Sequence, residues 1–281
     1  MSNPVAVIVG GTRGIGLAMG KQWLRTHVKS NSLTPRLFIL GRNVDTVKNQ
    51  PLQSLIEEYN QCEIQPVSVN LSEPKSIESA AKIVSSNTET LDYLFHTAGI
   101  LHNFEASGQK IEGTPLLPEK SFKEMTMEGM RQTFEINTFA PALIIKEFST
   151  LLKKSTNKCY RSKHFQQPPV FAAISARVGS IKDNKKGGWT SYRASKAALN
   201  MILQNAHCEF GMGGKQKIIF LALHPGTVDT SLSKPFQEMA RKQYEIFTPE
   251  HSASMLVDLC EKCDVSFSGG FYAYDGTQIP W

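Results

Sequence analysis

An apolar, mostly β-branched run, Val5-Ala6-Val7-Ile8-Val9, breaks abruptly into Gly10-Gly11-Thr12-Arg13-Gly14-Ile15-Gly16 and then into helix-forming residues. This order, strand to glycine turn to helix, restricts the possible folds more than any other stretch of the chain. Glycine permits a tight reversal and lets another group come close to the backbone. Amides at the start of the following helix then point outward with the positive end of its dipole, which suits a pyrophosphate. The spacing of Gly10, Gly14 and Gly16 is not the Gly-x-Gly-x-x-Gly of the usual dinucleotide fingerprint, so on glycine count alone a plain tight turn competes. Its place directly after the first strand favours a phosphate site.

Further strand-like runs follow at Arg36–Leu40, Glu63–Val69, Leu91–Phe95, Pro169–Ile174, Lys217–Leu223 and the short Gly270–Ala273, with helical stretches between them. Such alternation predicts an α/β fold: a single-domain, Rossmann-type doubly wound parallel sheet of about seven strands, with helices on both faces, over residues 1–281. Right-handed crossovers gather the strand carboxyl ends along one edge, bringing Gly10, Ala98, Ser175 and the loop after His224 together. The chain shows no internal repeat and no linker, and its length fits one such domain.

Several classes of function are disfavoured by composition. The longest apolar stretches are strand-sized, short of the roughly 20 residues a membrane helix needs. The chain opens straight into its first strand without a cleavable leader, so a cytoplasmic protein with no membrane partner is expected. Five cysteines, an odd number scattered over the chain, make no disulfide framework and suit a reducing compartment. Cys260-x-x-Cys263 has no second pair nearby and reads as two thiols near a helix end. The seven histidines lack metal-ligand spacing, so no metal is expected. A net charge of +6 is spread along the chain without an aromatic stripe, which argues against nucleic acid. The basic loop from Lys153 to His164 reads as a solvated insertion.

Tyr192 and Lys196, in Ser191-Tyr192-Arg193-Ala194-Ser195-Lys196, share one helical face. Bringing a tyrosine from its ordinary pKa near 10 to neutrality takes about 4 kcal/mol of phenolate stabilisation, and a neighbouring ammonium works in that direction. By itself the spacing is common on solvated helices.

Gly10-x-x-x-Gly14-x-Gly16 followed by Tyr192-x-x-x-Lys196 resembles the short-chain dehydrogenases/reductases. Three more segments match in order. His96-Thr97-Ala98-Gly99 is similar to that family's Asn-Asn-Ala-Gly, Asn137 in Glu135-Ile136-Asn137-Thr138 to its helix asparagine, and Pro225-Gly226-Thr227-Val228-Asp229-Thr230 to its Pro-Gly-x-Val-x-Thr. The resemblance covers nearly the whole chain. Gly187-Gly188-Trp189 and the ending Tyr274-Asp275-Gly276 with Ile279-Pro280-Trp281 resemble the C-factor-like and sniffer-like carbonyl reductase branch.

The resemblance implies an NAD(P)-dependent oxidoreductase that reduces a small-molecule carbonyl, or oxidises a secondary alcohol, by hydride transfer with Tyr192 as proton donor. Lys196 would lower the tyrosine pKa and hold the ribose, and Asn137 would support the lysine through a helix irregularity and a water. Cofactor contacts are implied for Gly10, Thr12, Arg13, Gly14, Ile15, Gly16, Arg42, Asn70, Leu71, Ala98, Gly99, Tyr192, Lys196, Pro225, Gly226, Val228 and Thr230. A homodimer or homotetramer, paired through the helices carrying Asn137 and Tyr192, is implied as well. The second strand ends Leu40-Gly41-Arg42-Asn43, without the acidic residue that binds a ribose 2′-hydroxyl in NAD-preferring folds. Arg42 and Arg13 can instead face a 2′-phosphate, so NADP(H) is expected over NAD(H). Asn70, where the family often has aspartate, is expected to substitute as a hydrogen-bonding group near the adenine.

The departure from the family lies at Ile174-Ser175-Ala176-Arg177-Val178-Gly179-Ser180, where the serine that normally binds the substrate oxygen falls on Ala176. Loss of one oxyanion donor costs on the order of 10² to 10³ in rate. Ser175 is the first candidate to replace it and Ser180 the second. Neighbouring strand residues point to opposite faces, so Ser175 serves only where the strand ends or bulges. The missing donor keeps a second function open, a dinucleotide-binding sensor or cell-cell signalling protein with weak or no turnover. A purely structural role is a third, opposed by the intact Tyr192, Lys196 and Asn137. Substrate contacts are expected from Ile100–Phe122, from residues near Trp189 and from Ser231–Phe247, where Phe104, Leu116, Leu117, Phe236, Tyr244 and Phe247 point to an apolar pocket under a lid.

Overall fold

The structure, a computed structural model, describes residues 3–30, 34–101, 118–157, 168–211, 217–242 and 244–281. Its strands are β1 (Val5–Val9), β2 (Arg36–Gly41), β3 (Glu63–Ser68), β4 (Tyr93–His96), β5 (Val170–Ile174), β6 (Ile219–His224), β7 (Thr227–Val228), β8 (Ile246–Phe247) and β9 (Gly270–Ala273). Its helices are α1 (Gly14–Ser30), α2 (Gln50–Glu58), α3 (Pro74–Asn87), α4 (Met127–Phe134), α5 (Ala140–Asn157), α6 (Thr190–Ala206), α7 (Gln237–Arg241) and α8 (Pro249–Lys262). Seven strands form one parallel sheet in the order β3-β2-β1-β4-β5-β6-β9.

Those seven are the strands expected from the sequence, with ends moved by no more than two residues. The apolar runs were legible because a parallel sheet covered on both sides buries both faces of its inner strands; β3, at the edge, stays partly exposed. Val5, Val7, Val9, Leu94, Phe171 and Phe220 pack with Ile77, Ile144, Phe148 and Leu199 of α3, α5 and α6. Ala6, Ile8, Phe95, Ala172 and Leu221 pack with Met19, Trp23, Leu256 and Val257 of α1 and α8. β4 starts after Leu91 because the Leu91 N–H turns to the Leu151 carbonyl (3.2 Å) and Asp92 accepts the Val5 N–H (2.9 Å). The separate β7–β8 pair was not anticipated, since two residues per strand carry no periodicity.

The helix starts that matter for the site are fixed locally. Asn49 accepts the Leu52 N–H to cap α2, and its amide donates to the Asn43 (2.8 Å) and Thr12 (3.3 Å) carbonyls, tying the cap to the glycine turn. Among the described residues no helix is long and apolar enough to cross a membrane, and no group of three His, Cys, Asp or Glu side chains could hold a metal ion. None of the four described cysteines is in a disulfide; Cys260 and Cys263 are buried thiols at the end of α8. Of the basic loop, residues beyond Asn157 up to His164 lie outside the described residues, as do Phe104, Leu116 and Leu117.

Candidate active site

At the carboxyl edge of the sheet the glycine turn is set by contact distances. Gly10 has φ of 84°, and a Cβ there would lie 2.8 Å from the Ala98 nitrogen. At Gly16 a Cβ would stand 2.3 Å from the Gly10 carbonyl oxygen and 2.4 Å from Thr97 Oγ1. Both neighbours are held by the sheet, because Thr97 donates its N–H (2.8 Å) and its hydroxyl (2.9 Å) to the Val9 carbonyl. The turn is therefore packed to contact on its inner side and open on its outer side.

That open side faces a cleft of about 490 Å³. Of the residues for which the resemblance implies cofactor contacts, Gly10, Thr12, Arg13, Gly14, Ile15, Gly16, Arg42, Asn70, Leu71, Ala98, Gly99 and Thr230 line it. Tyr192, Lys196, Pro225, Gly226 and Val228 do not. Pro225 accepts the Ser252 hydroxyl (2.8 Å), Gly226 (φ 79°) leaves room for the Phe247 ring, and Val228 pairs with Phe247 between β7 and β8. These three residues shape the turn that presents Thr230, Ser231 and Leu232 to the cleft. Glu128 and Gln132 of α4 and Glu135 of the turn after it also line the cleft and were missed, because no spacing in the sequence marks them.

The cleft is basic at the end of β2. Burial, and then the nearby Arg13 guanidinium, hold the Arg42 pKa below its usual value. Among the described residues neither arginine has a carboxylate partner. Two like charges side by side without a counter-charge suit an anion between them. Asn70 is differently engaged: its amide donates to Glu73 Oε1 (2.7 Å) and its oxygen accepts the Ser72 N–H (3.2 Å), so it folds the loop that carries Leu71 and Ser72.

Between α4 and α5 the chain makes a π-helical turn, Glu135–Phe139, and the fully buried Asn137 lies inside it. This is the helix irregularity expected there. Asn137 accepts the Ile100 N–H (2.8 Å), donates to the Ile100 carbonyl (2.8 Å) and donates to Ser195 Oγ (3.1 Å), joining the loop after β4 to α6. A Cβ on Gly99 would be 3.3 Å from both Asn137 Oδ1 and Lys196 Nζ, which places the three residues in one cluster.

Lys196 is buried and its ammonium donates to the Ile174 carbonyl (2.9 Å). Its Nζ lies 5.8 Å from the centroid of the Tyr192 ring. Burial lowers the Lys196 pKa to about 7 and pushes the Tyr192 phenol above its ordinary value. The expected lowering of the tyrosine by the lysine is thus not what this geometry gives: desolvation outweighs an ammonium that is bonded to a carbonyl and lies over the ring. Burial, with Lys196 nearby, also takes His96 down to about 3, so it is a neutral side chain.

The serine question has a geometric answer. β5 does end at Ile174, the condition Ser175 needed. Its hydroxyl, however, donates to Asn200 Oδ1 (2.7 Å), one helical turn beyond Lys196, and the residue does not line the cleft. The side chain follows the sheet alternation inward, toward the same layer as Ala173, and pins β5 to α6. Ser180 is buried and accepts the Asp183 N–H (3.1 Å), closing a surface turn. Of the other aromatic residues expected around a substrate, Phe247 packs edge-on against Tyr274 (4.8 Å) and Tyr244 is exposed.

Comparison with known proteins defines the class. Residues 4–159 match the family model for short chain dehydrogenases. A 1-hydroxy-2-glutathionyl-2-methyl-3-butene dehydrogenase of a Rhodococcus species is 30% identical over 76% of this chain and 78% of its own. The C-signal protein of Myxococcus xanthus is 28% identical over 54% of this chain and 78% of its own. Two solved structures share the fold over the whole of both chains at 24% identity: the carbonyl reductase Sniffer of Drosophila melanogaster (TM-score 0.78) and an NADPH-bound carbonyl reductase from chicken fatty liver (TM-score 0.77). The chain belongs to the short-chain dehydrogenase/reductase family, NAD(P)-dependent oxidoreductases acting on CH–OH and C=O groups.

Proposed function

We propose that the protein is an NADPH-dependent carbonyl reductase in which Tyr192 gives its proton to the substrate oxygen. The observation that carries this reading is the convergence, at one sheet edge, of a glycine turn packed to contact on its inner side and open toward the cleft with the buried Tyr192–Lys196–Asn137 cluster. The dinucleotide, when bound, supplies a hydride for the carbonyl carbon. Gly10, Gly14 and Gly16 would hold its pyrophosphate, Arg13 and Arg42 its 2′-phosphate, Asn70 and Leu71 the adenine end, and Lys196 the ribose. Pro225, Gly226, Val228 and Thr230 would close the far side. Burial keeps the Tyr192 phenol protonated at neutral pH, the form that a proton donor in reduction needs.

Arg42→Ala tests the choice of cofactor. A charge-assisted, bidentate contact contributes about 1.5–3 kcal/mol, so NADPH binding should weaken roughly 10- to 150-fold while NADH binding changes little. Equal losses for the two in a fluorescence titration would count against the 2′-phosphate contact.

Ala176 supports the second reading, a dinucleotide-binding sensor or signalling protein with little turnover, because no described side chain takes the missing serine's place. Ser175 keeps a part in the site by holding β5 on α6 through Asn200. Restoring the donor with Ala176→Ser should raise kcat/KM, by as much as about 10²-fold. Retained NADPH binding with no turnover in either form would favour the sensor. With the reductase reading we place the protein in the cytoplasm as a homodimer or homotetramer paired through the helices carrying Asn137 and Tyr192, where Phe139 of the π-turn and Met201 of α6 stand exposed.

A further inference from the structure

Immediately before α6 the backbone adopts three consecutive left-handed residues, Gly187 (φ 63°), Gly188 (φ 66°) and Trp189 (φ 53°). Trp189 is the one non-glycine residue with positive φ among the described residues. A bulky L residue in that region is strained, and such strain persists only where the surroundings over-determine it. Here they do. Arg193 donates through Nε to the Gly188 carbonyl (2.8 Å), through Nη2 to that of Gly187 (3.1 Å) and through Nη1 to that of Val178 (3.4 Å). Trp189 donates its N–H to the Glu119 carbonyl, and the buried Glu119 carboxylate accepts the Ser191 hydroxyl, locking the first turn of α6.

The segment holds an indole at a particular place. The Trp189 ring stands edge-on to Tyr192, centroids 6.3 Å apart at 78°, and its other neighbour is Phe236 at 5.1 Å and 56°. Phe236 ends a short turn, Lys234–Phe236, that begins two residues after Leu232 of the cleft lining. Trp189 is half-buried. Its ring bridges the phenol and the Lys234–Phe236 turn, and part of the residue stays open. A glycine at 189 would satisfy the backbone without strain, so what the strained residue adds at this position is the ring.

We propose that Trp189 is the specificity-determining residue of this site, its indole backed by Phe236 forming the wall on which a carbonyl compound with a planar aromatic group lies, its oxygen toward Tyr192. This rests on the reductase reading for the location of the substrate. Aromatic rings gain from edge-to-face and offset contacts with other rings beyond the apolar area they bury, whereas a saturated ring of equal size gains only from the area.

The test compares acetophenone with cyclohexyl methyl ketone, matched in size, by calorimetry on the full chain in the presence of NADP⁺. Wild-type protein should bind acetophenone about 3- to 10-fold more tightly. Trp189→Leu should erase that preference and Trp189→Phe should keep most of it. If Trp189→Leu does not fold, Phe236→Leu, which leaves the start of α6 untouched, should reduce the preference in the same direction. No preference in the wild type, an undiminished preference in the Leu variants, or no binding of either ketone overturns the proposal. NADPH oxidation is followed separately with both ketones: absence of turnover alongside an intact, Trp189-dependent preference counts against the reductase reading and leaves this one standing.

Discussion

Tyr192→Phe is expected to lower carbonyl reduction by about 10²- to 10⁴-fold, the usual contribution of a positioned proton donor, while leaving NADPH affinity within a few-fold. The size of the effect follows from the lack of a substitute. The Ser175 proton belongs to Asn200, Ser180 closes a surface turn, Ala176 has no hydroxyl, and the Lys196 ammonium is bonded to Ile174. The variant deletes one oxygen from a ring packed against Trp189, so the fold has little reason to change. Steady-state kinetics with any carbonyl the wild type accepts, together with an NADPH titration, separates the two effects. Activity within about tenfold of wild type would show that the proton comes from elsewhere.

Gly16→Ala is expected to weaken dinucleotide binding about 10-fold or more, since a shifted turn misaligns the backbone amides that would donate to the pyrophosphate and a hydrogen bond to a charged group contributes about 1.5–3 kcal/mol. It should also destabilise the fold by about 1–3 kcal/mol through overpacking. The added methyl would meet the Gly10 carbonyl at 2.3 Å and Thr97 Oγ1 at 2.4 Å, and both are fixed by the Val9–Thr97 bonds at the end of the sheet. Gly20→Ala, in the middle of α1, is the control. There the methyl meets only the terminal methyls of Ile8 (Cδ1, 3.2 Å) and Leu37 (Cδ2, 3.4 Å), which can give by a few tenths of an ångström. Thermal melts and NADPH titrations on both variants check the contrast; a Gly16→Ala protein that binds like wild type would mean the glycine turn does not face the pyrophosphate.

What the sequence could tell about this molecule follows from the range of each interaction. The inner strands of the sheet were readable because each is buried on both faces and so is apolar nearly throughout, whereas the edge strand β3 is partly exposed and carries Glu63, Gln65 and Ser68; the glycine turn was readable because its steric demands leave few residue choices. Asn137 and its helix irregularity came from the resemblance in residue order and are present in the fold. The identity of the Ser175 partner was not readable, because Asn200 lies 25 residues away and meets it only when α6 packs on β5. Nor was the direction of the Tyr192 shift. Helical spacing puts the lysine on the same face, but the fold decides that its ammonium turns to Ile174 and that burial dominates both groups. Glu119 and the start of α6 are 72 residues apart, with no local signal linking them.

The measurement that bears most directly on the central claim is a titration of the purified protein with NADPH and with NADH, followed in the same cuvette by dinucleotide absorbance as aldehydes, ketones and quinones are added in turn. NADPH should bind more tightly than NADH and be oxidised with at least one carbonyl, and the oxidation should be lost in Tyr192→Phe. Failure of either dinucleotide to bind, or turnover indifferent to Tyr192, would contradict that claim.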